Sequence, residues 1–151
     1  MLETGALQDM ARVAELVTDL RATGVGVALD DFGTGYSSLT FLRELAADTI
    51  KIDRSFVLDL LGDPDRAVIV DSILGLARRF HRKVVAEGVE TDDHGQLLLE
   101  LGCELGQGFG IGRPMPAEDI CDWVARWRPP DNWQRTTALG VGRTPDVLAE
   151  V

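Results

Sequence analysis

The stretch Ala28-Leu29-Asp30-Asp31-Phe32-Gly33-Thr34-Gly35-Tyr36-Ser37-Ser38-Leu39 decides the fold. Residues 25–29 are a short apolar run with two β-branched valines, ending in two adjacent carboxylates and a Gly-Thr-Gly turn. That pattern predicts a buried strand that delivers acids into a turn. Neighbouring side chains on an extended strand point to opposite faces, so Asp30 and Asp31 can share a ligand only where the strand ends and its backbone twists. Like charges this close repel, and a hard divalent cation such as Mg2+ or Mn2+ relieves the repulsion while favouring carboxylate oxygens. The alternative is that the pair caps the turn or the following helix, where Asp is common. The preceding strand and the downstream residues favour the metal.

Working outward, residues from about Ala6 predict a helix, with Met10, Val13, Val17 and Leu20 on one face and Gly24 placed to end it. After the acidic turn, Ser37-Ser38 can cap a short helix through about Leu45, with Leu39, Leu42 and Leu45 sharing a face. Residues 49–53 read as a second strand, in which a lysine between two isoleucines is ordinarily a surface residue. On a strand buried on both faces, Lys51 would instead need an anionic partner or ligand. Asp63-Pro64-Asp65 marks a helix start, followed by Ile69, Ile73, Leu76 and Phe80 on one face and a basic cluster that suits a helix C-terminus. Residues 84–90 form a third strand ending in an acid beside a glycine, and Thr91 caps the next helix, with Leu97, Leu98 and Leu101 inward. Residues 103–108 form a fourth strand ending in Gln107-Gly108, and Pro116 opens a last helix with Ile120, Trp123, Val124 and Trp127 on one face. Beyond Trp127 no period is sustained. Residues 128–151 read as an irregular or flexible tail with a short terminal helix from Pro145, its first part anchored by Trp133.

Strand, polar loop and helix thus alternate four times, which predicts a parallel α/β sheet. Asp30, Asp31, Lys51, Glu87 and Gln107 all lie within or at the C-terminal ends of strands, the edge that carries the active site in such folds.

Composition agrees. The 151 residues are 45% hydrophobic and 26% charged, which predicts one globular domain and excludes a disordered or fibrous chain. The formal charge of −10 opposes binding of a nucleic-acid polymer but not of a small phosphate ligand at a metal site. The two cysteines, Cys103 and Cys121, are too few for a disulfide scaffold and read as reduced thiols. No run approaches the roughly 18 to 20 apolar residues of a membrane span, and no signal peptide is visible, so a cytoplasmic location is expected.

Taken together, Asp30-Asp31-Phe32-Gly33-Thr34-Gly35-Tyr36-Ser37-Ser38, Lys51-Ile52-Asp53, Glu87-Gly88-Val89-Glu90, Gln107-Gly108-Phe109 and Arg113-Pro114-Met115-Pro116 resemble the EAL-domain phosphodiesterases of the bacterial second messenger cyclic di-GMP. The resemblance covers residues 2–127 and implies the later half of a (β/α)8 TIM-type barrel. It implies that Asp30, Asp31 and Glu87 bind paired divalent metals, Mg2+ or Mn2+, and that Lys51 contacts the nucleophilic water and the scissile phosphate. Gln107 and Pro114 would bind substrate. Phe32 and Gly33 would belong to a mobile loop tied to metal binding and dimerisation, supported by Glu3 and Glu90. The implied reaction is hydrolysis of cyclic di-GMP to linear pGpG, with calcium inhibitory.

The family's earlier half carries further ligands that are not in this sequence: the signature glutamate, an asparagine and the first glutamate of a Glu-x-x-Glu segment. Leu2-Glu3-Thr4-Gly5-Ala6-Leu7 aligns with the end of that segment. The expectation is a truncated module, inactive or weak alone, whose open sheet edges pair in a homodimer or with the missing N-terminal half. The competing expectation is a non-catalytic dimerisation or partner-binding module descended from the enzyme.

Overall fold

The first strand begins later than its apolar run suggests. In the computed structural model, which describes residues 3–34 and 39–133, β1 spans Ala28–Phe32 and therefore contains both aspartates. Pairing sets the start: the first partners across to β2 (Thr49–Ile52) are Ala28 with Thr49 and Leu29 with Ile50. Val25 is 52% exposed, outside any sheet core.

The other two strands, β3 (Lys83–Glu87) and β4 (Leu105–Gln107), complete a parallel sheet in the order β1-β2-β3-β4. Each strand thus lies beside its sequence neighbour, as successive βα units do along the arc of a (β/α)8 barrel. The α/β fold expected from the alternation is the one formed. Around the sheet lie α1 (Glu3–Ala22), α2 (Leu39–Glu44), α3 (Arg54–Leu58), α4 (Pro64–Arg79), α5 (Asp92–Leu101) and α6 (Ala117–Arg126), followed by a 3-10 turn at Asp131–Trp133.

The sheet has one buried and one open face. Ile50, Ile52 and Ala86 are fully buried beneath the helices and pack with Leu42, Val57, Val70 and Val89. Burial of each such large aliphatic side chain contributes about 1.5–3 kcal/mol. The alternate residues, Thr49 and Lys51 on β2 and Lys83, Val85 and Glu87 on β3, share the open face, since register pairs Thr49 with Lys83 and Lys51 with Val85.

Helix boundaries follow local chemistry. The Asp63 carboxylate accepts from the Asp65 amide and starts α4, with Pro64 at its first turn. Thr91 caps α5 by accepting from the His94 amide at 3.3 Å, and Gly102 ends that helix at φ 86°. Helix α3, absent from the sequence reading, starts because Asp53 accepts from both the amide and the hydroxyl of Ser55.

Three expected faces are corrected. α4 buries Val70, Ile73, Leu74 and Ala77, while Ile69 is 38% exposed. Its run Val68-Ile69-Val70 is apolar on three successive sides, so periodicity alone does not choose the inward one. On α1 only Val17 of the expected row is buried, and Val13 and Leu20 are exposed. α6 keeps Ile120, Trp123 and Trp127 half-covered, but Val124 faces solvent. The Ser37-Ser38 cap, the tail from residue 134 onward and its helix from Pro145 lie outside the described residues. Trp133 is buried.

Candidate metal and substrate site

Alternation from Ala28 puts Asp30 on the open face of the sheet. Asp31 would then point away, but the β1–β2 register shifts between Leu29 and Phe32 and Asp31 takes φ 49°. Asp tolerates this left-handed conformation better than most residues, and a bulge re-aims the side chain. Glu87 arrives from the last position of β3. As a result, one carboxylate oxygen from each of Asp30, Asp31 and Glu87 lies within 4.8 Å of the other two. Three convergent carboxylates form an oxygen-only donor set that suits a hard divalent cation.

Lys51 enters this cluster from β2. Its Nζ lies 2.5 Å from Glu87 Oε1 and 3.1 Å from Asp30 Oδ1. Its side chain is only 19% exposed, so the ordinary reading of a solvated surface lysine does not hold. The hydrogen bond to Glu87, helped by Asp30, raises the Lys51 pKa above the usual lysine value despite partial desolvation. Lys51 is therefore a fixed cation at neutral pH, held where negative charge concentrates.

Gln107 stands beside Glu87 in register and is exposed. The loop after β3 folds back onto the end of β4, where the Val89 amide donates to the Gln107 carbonyl at 3.1 Å and the Gly110 amide donates to the Val89 carbonyl at 2.8 Å. Only glycine fits there: a Cβ at Gly108 would stand 2.3 Å from the Val89 carbonyl oxygen. Glu90 is exposed on this loop. Phe32 is buried in the core, and Gly33, at φ 106°, packs so closely on the Phe56 ring that a Cβ would come within 2.6 Å. Glu3 opens α1, and the reading of its side chain lies outside the described residues.

Pro114 is separate from the carboxylates. With Gln107 it lines a cavity of 410 Å3 that runs down the open face to Thr49 and Lys83, and none of the three acids lines it. In its wall the Arg113 guanidinium lies 4.8 Å over the Phe109 ring. Sequence reasoning passed over that pair, although both residues belong to the motifs at residues 107–109 and 113–116.

The EAL domain family model matches residues 1–114. The chain belongs to the EAL-domain family. One relative of this EAL chain is the bifunctional diguanylate cyclase/cyclic di-GMP phosphodiesterase MucR of Pseudomonas aeruginosa, 48% identical over 123 residues, which are 82% of this chain and 18% of MucR. The crystal structure of the EAL domain of Mycobacterium smegmatis DcpA superposes with TM-score 0.75 at 43% identity, covering 81% of this chain and 55% of that one. The manganese/cyclic di-GMP complex of Klebsiella pneumoniae BlrP1 gives TM-score 0.62 at 38% identity over 66% of this chain and 26% of that one, and a calcium complex of BlrP1 matches similarly. The chain thus spans about half of the DcpA EAL domain and under a fifth of MucR. Divalent metals accompany the EAL fold in the two BlrP1 complexes. Among the described residues, no helix is long and apolar enough to cross a membrane.

Proposed function

We propose that this chain, chiefly residues 1–127, carries the C-terminal share of a metal-dependent cyclic di-GMP phosphodiesterase site. The observation that carries the reading is the convergence of Asp30, Asp31 and Glu87 around Lys51 at the C-terminal edge of a parallel sheet. Asp30, Asp31 and Glu87 would hold Mg2+ or Mn2+, which when bound supplies Lewis-acid polarisation of the phosphate and a more acidic water.

The chain's own groups do the rest. Lys51 keeps its ammonium charged and exchanges carboxylate partners for a phosphate oxygen, stabilising charge that grows as water attacks phosphorus. Gln107 offers an amide that orients the phosphate or the water, and Pro114 contributes an apolar wall for the nucleotide. Phe32, Gly33, Glu90 and Glu3 support the loop after Asp31. The water oxygen bonds to phosphorus, one ester P–O bond breaks, and the ring opens to linear pGpG. Calcium, larger and less exacting in geometry, would bind the carboxylates and inhibit. With this reading goes a cytoplasmic location, the compartment of a bacterial second messenger.

A second reading, a non-catalytic module that pairs with a second copy or with an N-terminal EAL half, draws on the edges that β1 and β4 leave open among the described residues. Calorimetric titration of cyclic di-GMP into the purified chain with Ca2+ present separates the two. The enzyme reading expects binding that Asp30→Ala abolishes, and turnover when Mn2+ replaces Ca2+. A folded chain that binds no nucleotide leaves the pairing module as the account of this polypeptide.

A further inference from the structure

Three indoles that the proposed reaction does not use form a row beside the site loops. Trp123 and Trp127, in and just after α6, have ring centroids 6.1 Å apart, and Trp127 and Trp133 are 6.2 Å apart, both pairs tilted. The outer two rings lie on glycines: a Cβ at Gly112 would stand 2.8 Å from Trp123, and one at Gly95 in α5 would stand 2.2 Å from Trp133. Trp127 Nε1–H donates to the Ile111 carbonyl at 3.0 Å, in the loop after β4. Trp133 Nε1–H donates to the Asp92 carbonyl at 2.7 Å, at the start of α5. One of these loops follows Gln107 at the end of β4 and carries Pro114, and the other carries Glu90 and leads back to Glu87 at the end of β3. The bonds of Val89 to Gln107 and of Gly110 to Val89 join the loops from within, and the two touching indoles join them from outside.

We propose that Trp127 and Trp133 form a clasp that fixes Glu87 and Gln107 relative to Asp30 and Asp31, which makes Trp133 a positioning residue of the metal site. The inference rests on reading those carboxylates as metal ligands. Transmission to Glu87 is short and stiff, because Val89 is buried and the intervening Gly88, at φ 79°, packs within 2.8 Å of Arg54 Cβ were it given a Cβ of its own. Trp127 and Trp133 lie beyond residue 114, where the family match ends, so the indoles of the clasp come from sequence outside the matched region while the carbonyls they bond lie within it.

The test is Trp133→Ala in the full 151-residue chain. Deuterium exchange at the Val89 and Gly110 amides should accelerate about tenfold or more, and Mn2+ should bind about tenfold more weakly by calorimetry. Exchange at the Asp48 amide, bonded to the Val27 carbonyl at the far end of β1 and β2, should not change. Trp133→Phe keeps a ring on Gly95 without the donor and should restore part of the protection and of the Mn2+ affinity. Gly95→Ala expels the ring while favouring the helix by propensity, so it should reproduce the exchange pattern even where Trp133→Ala fails to fold. Unchanged exchange at Val89 and Gly110, or uniform acceleration that includes Asp48, overturns the clasp. Absence of Mn2+ binding by the unmodified chain refutes the metal reading alone, and the clasp between the loops is then judged by the two amides.

Discussion

Asp31 reaches the acidic cluster only because its backbone leaves the strand conformation. The adjacency of Asp30 and Asp31 and the glycines after them were legible in the sequence, and so was the need for a twist. The bulge that supplies the twist was not, because it depends on how β1 registers with β2. Asp31→Asn keeps a residue that tolerates positive φ and removes the charge, so stability should change by less than about 1 kcal/mol, while Mn2+ binding weakens about tenfold or more. Asp31→Val should lose stability as well, since a β-branched side chain is strained there; urea unfolding alongside calorimetry checks both. A second prediction concerns Cys103, a buried thiol whose pKa burial pushes up to about 11. Between the unfolded thiol's value near 9 and the folded one, the unfolded chain holds fewer protons. Stability should therefore fall as pH rises from about 9 to 11, by on the order of 2 kcal/mol. Cys103→Ala should flatten that window in denaturant midpoints measured across pH.

At the scale of elements, capping and backbone packing explain most of what holds the site. Asp63 starts α4 with a side-chain acceptor, and Asp63→Ala should cost about 1 kcal/mol in urea unfolding without moving the metal site. Gly108 is less forgiving, because its would-be Cβ meets backbone rather than a movable side chain. Gly108→Ala should destabilise by more than about 2 kcal/mol and separate the loops that follow Glu87 and Gln107, visible as lost protection of the Val89 amide. The four strands, the Thr91 cap and the Pro116 helix start were readable from alternation and capping residues. The inward face of α4 was not, because three successive apolar residues satisfy more than one helical phase. Helix α3 hid in an Asp-x-Ser pattern too short for periodicity to register.

At the scale of the molecule, the sheet leaves β1 and β4 as edges among the described residues, and α1 exposes Val13, Leu16 and Leu20. Unpaired strand edges and apolar rows favour association. Sedimentation velocity should show concentration-dependent self-association that Leu16→Glu with Leu20→Glu shifts toward monomer. A chain that stays monomeric at the highest concentrations would show that these surfaces do not pair on their own.

By itself the sequence determined the fold class and the identity of the polar groups at the strand ends, because alternating periodicity and acids beside glycines are local properties of the chain, and its ordered motifs carried the resemblance to the family. Tertiary structure alone decided that Asp30, Asp31 and Glu87 meet, that Lys51 stands among them rather than in solvent, and that Trp133 reaches back to α5. Those outcomes depend on strand register and on contacts between residues far apart in the chain, which no local pattern encodes.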